Sequence, residues 1–123
     1  MDARGYGDWW THDGDFRPRR VTPEDVRRAM DGGLRSMLDA QERQVLYTRV
    51  GKWRVSTVFL VLDHSFGDGV PLLFETMVFG ESDAEPCWRY ATVDAARAGH
   101  ARVVEALVAG GIDAACDLDL PAT

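Results

Sequence analysis

The chain has 123 residues, with 20 Asp plus Glu against 14 Lys plus Arg and a formal net charge of −6. That is the length of one domain, long enough to bury a core with neither a metal nor a disulfide framework. A hydrophobic content of 46 % beside 28 % charge excludes a wholly disordered chain, and no apolar run approaches the roughly 18–20 residues of a membrane span.

Residues 1–20 mix Gly, Asp and aromatics without a period of 2 or 3.6 and read as an irregular N-terminal arm. Trp9, Trp10 and Phe16 are costly to leave in water, so the arm is expected to lie against the domain or a second subunit. A helix is expected to start at Val21-Thr22-Pro23-Glu24-Asp25, where Thr22 caps, Pro23 suits the first turn and two acids meet the positive end. Val26, Ala29, Met30, Leu34, Met37 and Leu38 continue its apolar spacing, interrupted at Gly32-Gly33.

The period then changes to 2. Gln44–Val50 and Trp53–Leu62 read as strands joined by a two-residue turn at Gly51-Lys52. The end of the second strand is apolar on both faces, which predicts cover on both sides, by helices or a neighbouring subunit. Residues 63–71 form a loop, Leu72–Phe79 a third strand and Trp88–Ala91 a short fourth. A second helix follows, capped by Thr92 and stopped at Gly110-Gly111, with Ala96, Gly99, Val103 and Leu107 toward the sheet. The predicted fold class is α+β: a small antiparallel β-meander of three to four strands flanked by an N-terminal and a C-terminal helix. The expected organisation is an arm at 1–20, one domain at 21–111 and an acidic tail at 112–123.

The net charge hides a split. Residues 17–54 carry ten basic groups against five acids, whereas residues 55–123 carry three against eleven. Either the two elements neutralise one another, or the basic segment forms an anion-binding face or an oligomer contact. Thirteen Arg against one Lys reflects the coding bias of a GC-rich genome and favours two-pronged grip on carboxylate or phosphate. A pI near 4.9 and the absence of a recognition-helix motif disfavour nucleic acid.

Val55-Ser56-Thr57-Val58-Phe59-Leu60, Leu62-Asp63-His64-Ser65-Phe66-Gly67-Asp68-Gly69 and Pro71-Leu72-Leu73-Phe74-Glu75-Thr76-Met77-Val78-Phe79-Gly80 resemble small uncharacterised proteins of actinobacterial phages and related bacteria. Arg89-Tyr90-Ala91-Thr92 and Gly99-His100 extend the resemblance, which covers roughly residues 45–108. It implies a phage-type origin and a host-cytoplasm location, and it implies no reaction.

The densest chemistry lies at Asp63, His64, Phe66 and Asp68, which, with Glu75 and His100, are candidates to converge on a ligand. Carboxylates with imidazole suit a divalent metal or acid–base work. Asp and Gly are equally ordinary turn formers, and the spacing matches no established motif. Glu75, in an apolar strand, needs a partner, with Arg54 and Arg89 as candidates. His100 reads as a half-buried packing residue. Cys87 reads as a structural thiol, and two cysteines are too few for a zinc site or disulfide framework. Met1-Asp2-Ala3-Arg4 leads into no signal-peptide core.

The expectation is a non-catalytic binding module that captures a host protein or a small anionic ligand, a nucleotide among the options, with no cofactor and no metal. Arg54, Asp63, His64, Phe66, Asp68, Glu75, Arg89 and His100 are its candidate ligand-binding residues. A cytoplasmic homodimer or higher homo-oligomer with no membrane partner is expected. The alternatives are a metal-assisted hydrolase using Asp63, His64, Asp68 and Glu75, and a structural or assembly protein.

Overall fold

The structure, a computed structural model, describes residues 9–12, 14–28, 43–62, 69–80 and 85–123. Its centre is a four-stranded antiparallel sheet with the strands in sequence order: β3 (Gln44–Val50), β4 (Trp53–Phe59), β5 (Phe74–Phe79) and β6 (Cys87–Tyr90). Ahead of it come two short strands, β1 (Trp10–His12) and β2 (Pro18–Arg20), and a helix, α1 (Pro23–Arg28). A long helix, α2 (Val93–Cys116), follows and packs across all four strands of the meander. The α+β class and the antiparallel meander expected from the periodicity are therefore observed.

The β3–β4 hairpin turns at Gly51-Lys52, where Gly51 has φ 58°, a left-handed conformation that glycine adopts without strain. The turn pairs Val50 with Trp53, Arg49 with Arg54 and Thr48 with Val55. A bulge then intervenes, so that Gln44 pairs with Val58 and Leu46 with Thr57. The Gln44 amide fills the bulge by donating to the carbonyls of Leu46 and Thr57, at 2.6 and 2.9 Å.

Alternation along β4 and β5 is regular, with Trp53, Val55, Thr57 and Phe59 buried on one and Phe74, Thr76 and Val78 on the other. These residues face α2, which returns Ala96, Gly99, His100, Val103 and Leu107. The buried apolar residues form two clusters. One holds Trp53, Val55, Val78, Val103, Leu107 and Ala115; the other holds Phe59, Leu73, Phe74, Tyr90 and Ala96. Between them lies a polar row, Thr57 and Thr76 on paired strands with His100 above.

Several boundaries depart from expectation. The arm is not irregular throughout, because β1 and β2 pair antiparallel, with Trp10 opposite Arg20. It is this arm that covers the end of β4: Trp10 N donates to Val61 O at 2.7 Å, and Trp9 bridges Leu62. His12 sits edge-on to Phe59, their ring centroids 5.1 Å apart. The strand expected to reach Leu62 ends at Phe59, and the third strand begins at Phe74 rather than Leu72.

Gly110-Gly111 breaks the helix as expected: Gly111 takes the non-helical values φ 72° and ψ −160°, and beyond that kink a short helical segment, not expected, completes α2 to Cys116. The added turn is held by burial, because Ala115 enters the core and Leu118 accepts a hydrogen bond from Trp88 Nε1 at 3.1 Å. Beyond it Ala122 O accepts from Ala91 N, so the acidic end is tied beside β6. The Gly32-Gly33 interruption lies outside the described residues. Among the described residues no helix is long and apolar enough to cross a membrane.

At α1, Thr22 and Asp25 cap each other. Asp25 N donates to Thr22 Oγ1 at 3.2 Å, and Thr22 N donates to Asp25 Oδ2 at 2.8 Å. Arg19 of β2 grips both oxygens of the same carboxylate, at 2.7 and 2.9 Å. One buried acid thereby fixes the helix start to the arm.

Candidate functional site

Asp63, His64, Phe66 and Asp68 lie outside the described residues, which resume at Gly69 within the expected 63–71 loop. The other four candidates are placed. Glu75 and Arg89 are register partners on β5 and β6, with Arg89 Nε donating to Glu75 Oε2 at 2.9 Å. The Glu75 side chain is 13 % exposed and that of Arg89 37 %, so the strand's one acid is neutralised at the rim of the sheet. Of the two arginines named for Glu75, Arg54 takes the other course, its guanidinium carbon standing 5.8 Å from the centre of the Phe79 ring.

His100 is more deeply buried than a half-buried packing residue, at 4 % exposure, and it has polar partners on both ring nitrogens. Nδ1 lies 2.7 Å from Thr57 Oγ1 and Nε2 lies 2.8 Å from Thr48 Oγ1. Thr57 Oγ1 is 2.6 Å from Thr76 Oγ1, to which the Tyr90 hydroxyl donates at 3.1 Å. Burial pushes the His100 imidazolium below its ordinary range and the Tyr90 phenol above its own. Both groups are neutral at neutral pH, as a site without a counter-ion requires.

The sheet separates Glu75 from His100. Glu75 alternates with Phe74 and Thr76 and so belongs to the face away from α2, whereas His100 is bonded through Thr57 on the face toward it. These two candidates do not share a pocket. Among the described residues no three His, Cys, Asp or Glu side chains gather as a metal-binding group. Cys87 and Cys116 are both free and exposed, Cys87 standing opposite Met77 at the end of β6.

Two further features carry charge. A cleft of about 480 Å³ lies between the arm turn and the start of α2, lined among others by Asp15, Arg17, Thr92, Asp94 and Arg97. Its two carboxylates match its two guanidiniums, and the Thr92 hydroxyl is already used in accepting from Ala95 N at 3.1 Å. The face of the sheet away from α2 is unbalanced. There Arg49 and Arg54 stand directly opposite one another, both exposed and neither paired with a carboxylate among the described residues. Like charges at directly opposed positions oppose sheet formation.

Tyr47, two residues from Arg49 and therefore on the same face, is 52 % exposed. Tyr47 and Arg49 were not among the candidates read from sequence; the signal that finds them is the opposed Arg pair that the two-residue turn creates. Thr48, Thr57 and Thr76 carried no signal beyond strand propensity. No family model, no curated protein and no solved structure matches the chain.

Proposed function

We propose that the protein is a non-catalytic binding module, a phage-type accessory protein that captures a small anionic ligand of the nucleoside-phosphate class on the face of its sheet away from α2. The observation that carries this reading is the opposed pair Arg49 and Arg54, two cations placed side by side with no carboxylate paired to either among the described residues. An oxyanion bridging the pair converts the repulsion into attraction, and each guanidinium offers it a planar fork of donors. Tyr47 supplies an exposed ring beside the pair, on which a base can stack for about 1–3 kcal/mol. The cleft at the start of α2 is the weaker candidate for an anion because its charges cancel.

The test is thermal denaturation of the full chain with inorganic phosphate and with nucleoside mono-, di- and triphosphates. A ligand present at about 100 times its Kd raises stability by roughly 2.7 kcal/mol, which is readily seen as a higher Tm. Arg49→Ala and Arg54→Ala each remove the rise, and Tyr47→Ala weakens the response to nucleotides while sparing the response to phosphate. A Tm unmoved by every phosphate-bearing probe, or moved equally in the arginine variants, overturns the proposal.

A further inference from the structure

The hydroxyls around His100 form a continuous chain of contacts that one order of donors satisfies throughout. Each hydroxyl has one hydrogen to give. Tyr90 gives its hydrogen to Thr76, and the arrangement that then uses every hydroxyl hydrogen within the chain has Thr76 donating to Thr57 and Thr57 donating to His100 Nδ1. With Nδ1 accepting, the ring proton belongs on Nε2, where it is donated to Thr48. The path takes one side chain from each of β6, β5, β4, α2 and β3, so it stitches the helix to every strand of the meander.

A second proton on the ring breaks this order. Both nitrogens then donate, Thr57 must turn its hydrogen back to Thr76, and one hydrogen of the Thr76–Tyr90 pair is left without an acceptor in the chain. That hydrogen has little room to turn, because the Tyr90 hydroxyl lies beside a helix backbone so close that even a Cβ at Gly99 would collide with it. No charged group offsets the new imidazolium from the sheet. The residues turned toward α2 are Leu46, Thr48 and Val50 on β3, Trp53, Val55, Thr57 and Phe59 on β4, Phe74, Thr76 and Val78 on β5, and Trp88 and Tyr90 on β6. Of these only Tyr90 ionises, and it is neutral and fully buried. On α2 itself the neighbouring ionisable groups Asp94, Arg97, Arg102 and Glu105 are exposed.

We propose that the Tyr90–Thr76–Thr57–His100–Thr48 chain is an acid-sensitive latch between α2 and the sheet, closed in the Nε2–H tautomer of His100 and opened by protonation of that ring. The latch is independent of what the opposite face of the sheet binds.

It is tested on the full chain by nitrogen-detected NMR of the histidine rings, with a parallel series of denaturation curves against pH. At neutral pH the His100 signals report Nε2 protonated and Nδ1 bare. The ordinary histidine value is 6.5, so below about that pH the unfolded chain takes up a proton that the latched fold refuses. The folding constant then drops by up to about tenfold per pH unit until His100 protonates in the fold. Thr76→Val touches neither ring nitrogen, yet it frees Thr57 to turn, and it moves the His100 titration upward. An Nδ1–H tautomer overturns the latch; so does titration at the ordinary value with level stability. A Thr76→Val variant that folds and leaves the His100 titration unmoved overturns the chain as its means. The tautomer and the pH series need no variant, so they decide the matter if Thr76→Val does not fold.

Discussion

The Tyr90 hydroxyl lies against the backbone of Gly99: a Cβ built on that glycine would fall 2.6 Å from Tyr90 Cζ and closer still to the hydroxyl. The contact places the helix backbone directly on the ring that begins the buried hydroxyl chain.

Gly99→Ala is therefore expected to destabilise, although alanine is the better helix former by about 1 kcal/mol. Overpacking a filled core costs about 1–3 kcal/mol, and here the neighbour is a fully buried ring that has no room to yield. Urea denaturation will show a lower midpoint with an unchanged slope.

The Glu75–Arg89 pair sets up an asymmetry. Arg89→Ala leaves a carboxylate that is 13 % exposed without its donor, at a cost of about 1–3 kcal/mol. Glu75→Gln leaves a guanidinium with 37 % exposure that water serves in part, so its cost is the smaller. A reversed order of the two denaturation midpoints would refute this account of the pair.

Asp25 supplies a second acid dependence in a separate window. The two-pronged bond from Arg19 holds its carboxyl well below the ordinary value of 3.8, against the opposing effect of burial. With the folded value depressed, the stabilisation is fully present above 3.8 and is lost as the pH falls below it. Asp25→Asn is expected to cost about 1–3 kcal/mol at neutral pH, and its deficit relative to the wild type narrows below pH 3.8. The same denaturation series separates this step from the histidine step above it.

Arg49→Glu makes opposite predictions for stability and for binding. It turns a like-charge cross-strand pair into an opposite-charge one, a gain of about 0.2–1 kcal/mol, and it places a carboxylate where a phosphate is expected. A higher Tm without ligand, together with loss of the response to phosphate, is the expected result.

Sequence pattern carried the sheet well because β4 and β5 alternate without exception, and burial of one face enforces that alternation. The core face of α2 was legible for the same reason, since Ala96, Gly99, Val103 and Leu107 keep helical spacing. The hairpin β1–β2 was not, because three-residue strands are too short to show a period. The break at Gly110-Gly111 was legible from its glycines, one of which takes φ 72°; the helical segment beyond it was not, because what holds it is the burial of Ala115 in the core, with Leu118 packed against it. At the candidate site, the partner of Glu75 was legible to within two arginines. The role of His100 was hidden, because its partners are threonines that any strand accepts and they stand 52 and 43 residues away in sequence.

The two-residue turn at Gly51-Lys52 has a consequence for β3 as a whole. Thr48 points to the helix, while Tyr47 and Arg49 on either side of it point away, and the turn length alone sets that phase. Slipping the hairpin by one residue would exchange the two faces of the strand. The guanidinium would move into the core and the threonine out to water, so one slip would abolish the latch and the arginine pair together. Loop engineering here is therefore less forgiving than at an ordinary surface hairpin. An inserted residue between Val50 and Trp53 acts as a switch of parity, harmless to composition and damaging to both faces.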